Sequence, residues 1–230
     1  ELILTRLHAG GKFNQADGGA YAFSGGLHGV GVSVTNALST RLEVTVWRDG
    51  GEYRIVFADG NVVEPLTQVG TVGKRRSGTR VRAWPDARYF DHAQVPLGDL
   101  EHALRSKAVL LPGTRVTLMT EKTGQQREWH YEDGLKGYLT EALGGTPALV
   151  PLFAGQQYAA DDDEQYALGE GAQWVVAWTD EGAVVRESYV NLIATTAGGT
   201  HESGLREGLF NAVKSFAELH NLLPKGIRLL

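Results

Sequence analysis

The sequence predicts an α+β fold, because apolar residues recur at helical spacing in some segments and at every second position in others. The helical repeats are clearest at 97–111, 135–143 and 205–216, and the alternating pattern is clearest at 42–57. A glycine-rich stretch at 25–31 runs directly into another helical repeat. The 230 residues, 42% of them apolar, can bury one large core or two smaller ones, and we expect two domains.

The N-terminal segment is predicted to be a helix over residues 1–8 that ends at Gly10-Gly11, followed by a long polar loop over 13–24. In Gly25-Gly26-Leu27-His28-Gly29-Val30-Gly31, four of seven residues are glycine, and an apolar repeat at helical spacing follows. Such a junction turns backbone N–H groups and the positive end of a helix dipole toward an anion. It predicts a nucleotide phosphate site with the long loop as a lid; an ordinary surface turn is the alternative.

A hairpin, a strand and a helix are predicted next. Residues 42–46 and 53–57 alternate between apolar and polar, and Asp49-Gly50-Gly51 turns the chain between them. We expect another strand at 79–84, a helix over 97–111 that ends at Pro112-Gly113, and a strand that begins near Val116.

The strongest break in the chain is Gly144-Gly145-Thr146-Pro147, which predicts domains at 1–142 and 143–230. Residues up to 171 show little periodicity, and Asp161-Asp162-Asp163-Glu164 is interpreted as a solvated loop, with a metal site as the alternative. Two strands, 173–179 and 184–193, are expected to be joined at Asp180-Glu181-Gly182. The last predicted helix has Thr200 as its N-cap, and its buried face carries Leu205, Leu209, Val213 and Phe216.

Composition excludes several classes of protein. The chain has no cysteine, so disulfide scaffolds, thiolate zinc sites and cysteine nucleophiles are ruled out. No apolar run is long enough to cross a bilayer, and no leader pattern is present, so we expect a soluble chain without membrane partners. The net charge of −5 argues against a broad nucleic-acid surface. Because the chain begins at Glu1 and stops in an apolar stretch, we expect both ends to be internal cuts.

Several motifs besides the glycine loop appear in an order that resembles one family. They are Leu7-His8-Ala9-Gly10-Gly11-Lys12-Phe13, Tyr21-Ala22-Phe23-Ser24, Ser77-Gly78-Thr79-Arg80-Val81, Tyr131-Glu132-Asp133-Gly134 and Gly198-Gly199-Thr200-His201. Over nearly its whole length the chain is similar to the ATPase region of the B subunits of bacterial type IIA topoisomerases, within the superfamily of Hsp90, MutL and histidine kinases. Residues 107–113 and 187–193 look more like the topoisomerase IV branch than the gyrase branch.

This resemblance implies a GHKL-type (Bergerat) ATPase domain, a two-layer α/β sandwich with helices on one face of a mixed sheet, followed by part of a transducer domain similar to ribosomal protein S5. ATP is the implied cofactor. Lys12 is the implied phosphate-contacting lysine of the lid, Tyr21 covers the adenine, Thr79 positions an aspartate that reads the base, and Arg48 borders the pocket. The implied phosphate contacts come from the backbone of the glycine loop, at Gly26, Leu27, His28, Gly29, Val30, Gly31 and Val32.

The resemblance also implies what other parts of such a protein supply. The catalytic glutamate, the magnesium-binding asparagine and the adenine-reading aspartate lie before Glu1 in the family, so no catalytic or metal residue is expected in this chain, and the fragment alone should hydrolyse little ATP. Arg206 and Lys214 could line a DNA cavity, although solvated charges are the simpler account. Implied partners are DNA, the A subunit of topoisomerase IV and a second copy of the chain itself, in the bacterial cytoplasm.

Two functions from different classes follow. One is the ATP-binding region of a type II topoisomerase, in which ATP-driven dimer closure powers passage of one duplex through another. The other is a GHKL-family clamp that dimerises on binding nucleotide without passing DNA. Within the topoisomerases, the B subunit of a DNA gyrase is the further alternative.

Overall fold

The computed structural model describes residues 1–9, 28–92, 94–160, 164–166, 169–182, 184–224 and 226. The chain separates into two compact units, Glu1–His102 and Ala103–Leu230. The predicted domain boundary after residue 142 divides the chain differently and stays a prediction.

The first unit is built on a four-stranded sheet with the order β3-β2-β1-β4. Two short helices precede it, and a 3₁₀ turn at Ala87–Tyr89 follows it. The bounds are α1 Leu2–Thr5, α2 Gly31–Ala37, β1 Ser39–Arg48, β2 Gly51–Ala58, β3 Asn61–Thr71 and β4 Gly78–Pro85. β1 pairs antiparallel with both β2 and β4.

Two tight turns fix the register of the first three strands. Asp49 and Gly50 both have positive φ, 52° and 83°, and connect Arg48 to its partner Gly51. Asp59 and Gly60 repeat this geometry between β2 and β3, with φ values of 48° and 79°. Two successive residues with positive φ match the right-handed twist of a hairpin, which explains the Asp-Gly pair at both positions. The predicted first hairpin is therefore confirmed.

The two faces of this sheet differ in character. One face carries Leu42 and Val44 of β1 and Ile55 and Phe57 of β2, which pack with Leu4 of α1 into the core. We call it the inner face. Since side chains alternate along a strand, the neighbours of these residues lie on the opposite, outer face, among them Glu43, Thr45 and Trp47 on β1 and Arg80, Arg82 and Trp84 on β4.

The second unit contains most of α3 and all later elements. Their bounds are α3 Leu97–Leu110, β5 Val116–Thr120, β6 Gln125–Trp129, α4 Gly134–Ala142, β7 Phe153–Tyr158, β8 Gly171–Val176, β9 Tyr189–Val190, β10 Ile193–Ala194 and α5 Thr200–Leu219. The strands form three antiparallel pairs, β5 with β6, β7 with β8 and β9 with β10. The predicted helices at 97–111 and 135–143 and the strand near Val116 are confirmed.

The core of the second unit centres on Ala108 and Val109 of α3, which pack with Tyr131 and Tyr138. The two tyrosine rings meet edge to face at 5.9 Å. The hydroxyl of Tyr138 donates to the carboxylate of Glu187, and burial raises the pKa of Tyr138 to about 12. This bond connects α4 to the segment just before β9.

The strand predicted at 173–179 is confirmed as β8, and its partner is β7, which lies in a stretch where no strand was predicted. The strand predicted at 184–193 is wrong, because that segment contributes only the two-residue strand β9 and the start of β10. Phe153 and Trp174 lie on paired strands with ring centroids 6.2 Å apart. This contact between residues distant in the chain stabilises the pairing of β7 with β8, and the periodicity of either strand alone does not predict it.

The last helix is confirmed, but its predicted cap and buried face are not. Gly199 is the N-cap of α5 and Thr200 is the first helical residue, with no side-chain cap. Val213 and Phe216 are 55% and 58% exposed, whereas Ala217 is buried. Among the helices of the described residues, none is long and apolar enough to cross a membrane.

Candidate functional site

The predicted phosphate loop is described only from His28 onward. Lys12, Tyr21, Gly26 and Leu27 lie outside the described residues, so their predicted roles stay predictions. His28 is exposed, and Gly29 has a φ of 61°, in the left-handed region that favours glycine. Val30 is the N-cap of α2, and Gly31 is its first helical residue. The predicted passage from a glycine loop into a helix is therefore confirmed at its downstream end.

The first turn of α2 leaves its backbone donors without a side-chain cap. Val30 offers no side-chain acceptor, and no acidic residue lies in the first turn. The two hydroxyls nearby donate to backbone carbonyl oxygens and do not cap the N–H groups. Ser33 Oγ donates to the Val30 carbonyl at 3.0 Å, and Thr35 Oγ1 donates to the Gly31 carbonyl at 2.9 Å. The first N–H groups of a helix have no intrahelical acceptor, and no side chain among the described residues caps them here, so these donors are available to a ligand.

Space is open beside Gly31. A Cβ built on this residue would meet no atom within 4 Å other than its own neighbours. Val32, the next residue, is 49% exposed. The loop therefore has both donors and room on one side, which is the chemistry that an anionic ligand requires.

His28 contacts His8 through its backbone carbonyl group. His8 Nδ1 lies 2.9 Å from the His28 carbonyl oxygen, so the His8 ring donates when its proton is on Nδ1. No ion pair joins the His28 ring to a carboxylate among the described residues. The predicted role of His28 as a phosphate neighbour through its backbone stays a prediction.

Asn36 is a residue that sequence reasoning missed. Its side chain is 1% exposed, and Nδ2 donates to the carbonyl oxygens of Leu4 at 3.0 Å and Gly60 at 3.1 Å. It therefore holds α2 against both α1 and the β2–β3 turn. Its Oδ1 is buried and has no protein partner among the described residues. A polar residue inside a helical segment flanked by apolar positions was the available signal.

Asp86 fixes the other end of α2. Its backbone N–H donates to the Leu38 carbonyl at 2.9 Å, which joins the end of α2 to the end of β4. Its carboxylate accepts from Arg88 Nε at 2.7 Å and from the Arg88 backbone N–H at 2.9 Å. These two bonds hold the pKa of Asp86 below its ordinary value.

Thr79 and Arg48 lie on the inner face, near the same end of the sheet. Thr79 of β4 is the register partner of Val46 in β1, and Arg48 follows Val46 by two residues, so all three side chains share this face. Thr79 is exposed, and Val81 beside it is 54% exposed. Arg48 is 79% exposed and pairs with Asp49 at 3.2 Å. The structure thus places Thr79 and Arg48 on the same face of the sheet, and their predicted roles at a nucleotide pocket stay predictions.

Arg206 and Lys214 lie on α5, where the first is exposed and the second is half-buried. Glu202, one turn before Arg206, forms an ion pair with Arg186 at 2.5 Å, and this contact lowers the pKa of Glu202. Their predicted place in a DNA cavity stays a prediction. Among the described residues no group of three histidine or acidic side chains could hold a metal ion. The metal alternative for 161–164 falls mostly on residues outside the described part.

Comparisons with known proteins find one family over the chain. A profile described as DNA gyrase B matches residues 134–229. The B subunit of DNA topoisomerase 4 from Pseudomonas aeruginosa is 51% identical over 100% of this chain, and that of Escherichia coli is 48% identical over 100%, each covered to 35% of its own length. The chain thus spans about a third of these relatives.

A solved structure extends the likeness to the fold. The topoisomerase IV ATP-binding domain of Francisella tularensis, in complex with a small-molecule inhibitor, superposes with a TM-score of 0.69 at 36% identity. The match covers 100% of this chain and 57% of that one. The predicted α+β class and the predicted likeness to this ATPase fold are confirmed.

Proposed function

Since the chain belongs to the family of the B subunits of bacterial type II topoisomerases, we propose that it is the ATP-binding region of such a protein. The observation that supports this most strongly is the match of the whole chain to a solved ATP-binding domain of topoisomerase IV. Identity of about half the residues to B subunits of topoisomerase 4 favours this branch over gyrase.

In this proposal the residues of the first unit bind the nucleotide. Backbone N–H groups at Gly29–Val32 receive the phosphates, since no side chain of the described residues caps this helix start and the Cβ position of Gly31 is open. Thr79 offers a hydroxyl that both donates and accepts, which suits a role at the adenine. Arg48 borders the pocket. Lys12 and Tyr21 complete the site by resemblance.

Asn36 is a positioning residue for this site. Its two hydrogen bonds hold α2 on α1 and on the β2–β3 turn, so the loop that precedes α2 starts from a fixed helix. Preorganised donors bind an anion without first losing conformational freedom. Among the described residues no cluster of three histidine or acidic side chains could hold a metal ion, and we assign no magnesium ligand to this chain.

The binding proposal is tested by Gly31→Ala in the full-length protein. Apart from its chain neighbours and the backbone of its own helix, no described atom lies within 4 Å of a Cβ at this position, so the substitution does not clash with the described part of the protein. If phosphates occupy the space, the methyl group weakens binding of a non-hydrolysable ATP analogue roughly 10-fold or more, equal to about 1.4 kcal/mol. Isothermal titration calorimetry measures this.

Gly208→Ala is the matched control, because Gly208 is also helical and its Cβ position is also free within 4 Å. The control should leave the affinity unchanged. Equal affinity for Gly31→Ala and the unaltered protein would contradict the assignment of phosphates to this loop.

For the whole protein we propose ATP-driven DNA duplex passage by a homodimer that assembles with the A subunit of topoisomerase IV, in the bacterial cytoplasm. Decatenation and supercoiling assays on the full-length protein with this partner test the proposal. ATP-dependent decatenation without negative supercoiling supports topoisomerase IV, and negative supercoiling would point to gyrase. No strand passage, with intact nucleotide-dependent dimerisation, would support the clamp alternative.

A further inference from the structure

We propose that the outer face of β1 and β4 binds the phosphate backbone of duplex DNA without reading its sequence. The surface consists of Trp47, Arg76, Arg80, Arg82 and Trp84, and we call it the Arg–Trp surface. Lys74 and Arg75 flank it in the turn before β4. It lies on the opposite side of the sheet from Thr79, and its DNA binding does not depend on the nucleotide site.

The first argument is unbalanced charge. Lys74, Arg75, Arg76, Arg80 and Arg82 are all exposed, and within the described part of the chain none of them forms an ion pair. This contrasts with the net charge of −5 for the whole chain. A local excess of cations on an acidic chain attracts a polyanion.

The acidic groups on the same face are few. Glu43 faces Arg82 in the register, but its carboxylate already binds Arg41 at 2.8 Å and Arg54 at 3.1 Å. Glu52 faces Trp47 from β2 and is half-buried. Glu64 of β3 faces Val56 on the same side of the sheet, and its carboxylate pairs with Arg41 and Arg54 at 3.7 Å. Two engaged carboxylates and one partly covered carboxylate therefore leave the cations of the Arg–Trp surface without an ion pair among the described residues.

The second argument is the geometry of the guanidinium groups. Arg76 and Arg80 lie over the Trp47 ring, at 4.6 and 5.4 Å from its centroid, and Arg82 lies over the Trp84 ring at 4.9 Å. Stacking on an indole holds a guanidinium plane while its N–H donors stay free at the edge. The arginines are therefore partly ordered before a phosphate arrives, which lowers the entropic cost of binding.

The third argument is spacing. Arg80 and Arg82 are two residues apart on one strand, so their Cα atoms are about 7 Å apart. Phosphates on one DNA strand recur about every 3.4 Å along the helix axis and also wind around it, so neighbouring phosphates are farther apart than this rise and the two arginines can contact neighbouring phosphates. Contacts to phosphate oxygens position a protein on a duplex without reading its sequence.

An acidic protein segment fits this surface less well. Protein interfaces have an apolar centre, whereas the outer-face residues of β4 are Gly78, Arg80, Arg82 and Trp84, and the one aromatic residue is covered by a guanidinium. A surface of ordered cations without an exposed aliphatic group suits a phosphate backbone.

The test compares the full-length protein with its R80Q/R82Q variant, using fluorescence anisotropy of a labelled 30-base-pair duplex over a series of NaCl concentrations. Each lost phosphate contact lowers the slope of log affinity against log salt by about 0.9, so the variant should lose nearly 2 from the slope. Near 0.1 M salt its affinity should fall roughly 10- to 60-fold.

K122Q/K136Q is the matched control, since it also removes two exposed cations but leaves the Arg–Trp surface intact. It should keep the slope. R80K/R82K keeps the charges and should also keep the slope. Affinity for a non-hydrolysable ATP analogue, measured in parallel, should be the same in all variants, which separates this proposal from the nucleotide site.

Two results would overturn the proposal. The first is an unchanged slope in R80Q/R82Q, or the same loss in K122Q/K136Q. The second is a loss of binding to a 20-residue polyglutamate peptide with DNA affinity intact, which would assign the surface to an acidic protein.

Discussion

Replacing Asn36 by alanine removes the side chain that joins three parts of the first unit. Nδ2 donates to the carbonyl oxygens of Leu4 and Gly60, the first bond is buried and the second is partly buried, and Asn36 itself is 1% exposed. Each intramolecular hydrogen bond contributes about 0.5–1.5 kcal/mol net, so the two together contribute about 1–3 kcal/mol. The small cavity left by the side chain adds to the loss. We therefore expect Asn36→Ala to lower the free energy of unfolding by about 2–3 kcal/mol.

Urea denaturation followed by circular dichroism measures this loss. With a slope of about 2 kcal/mol/M, the midpoint should fall by about 1 M or slightly more. Thr35→Ala is the control on the same helix, because the Thr35 hydroxyl is exposed and bonds only to its own helix. We expect its effect to stay within about 0.5 kcal/mol.

Asn36→Asp provides a second test, because its effect on the free energy of unfolding should depend on pH. Aspartate would place carboxylate oxygens against the carbonyl oxygens of Leu4 and Gly60, so its folded-state pKa should rise above the unfolded value. The variant should therefore be most stable at low pH and lose stability as pH rises through that pKa. An Asn36→Ala effect below about 0.5 kcal/mol, or an Asn36→Asp variant without this pH dependence, would refute the role of Asn36.

Three further outcomes are expected. Glu43→Gln should destabilise the protein by roughly 0.5–1 kcal/mol at pH 7. The hydrogen bond from Arg41 holds the pKa of Glu43 below its ordinary value, so the stability difference between Glu43→Gln and the unaltered protein should vanish as pH falls through that lowered pKa. Urea titrations measure it, and Glu128→Gln, which alters an exposed ion pair, should show little effect. Gly60→Ala should cost about 1–2 kcal/mol in thermal or urea unfolding, because φ is +79° there. Thr79→Ala should weaken nucleotide binding by up to about 10-fold in calorimetry without changing stability, since its hydroxyl is exposed.

The first hairpin could be predicted because its two strands alternate around a buried face, but β3 could not be found in the same way. β3 is largely exposed and contains Pro65, and its pairing with β2 is irregular, so no apolar alternation marks it. Proline is tolerated there because β3 is an edge strand. The Asp59-Gly60 pair was the one local signal of this second hairpin.

The candidate site was predictable where it depends on the backbone. The spacing of glycines in the sequence indicates where backbone N–H groups can approach a ligand. In the structure Gly29 has a positive φ and α2 begins at Gly31. The contacts of Asn36 were not predictable, because its partners are 32 and 24 residues away in the chain. The pairing of β7 with β8 was missed for the same reason, since it depends on a contact between distant aromatic residues.

The proposed nucleotide site and the proposed DNA-binding surface lie on opposite faces of β4. Along β4, Thr79 and Val81 point to the inner face, while Arg80 and Arg82 point to the outer face, because neighbouring side chains alternate. A ligand on one face therefore does not compete for the side chains of the other. Thr79→Ala should change nucleotide affinity and leave the salt slope of DNA binding intact, and R80Q/R82Q should do the reverse. If either change moved both measurements, the two faces would be coupled through β4, and the independence that the alternation implies would be wrong.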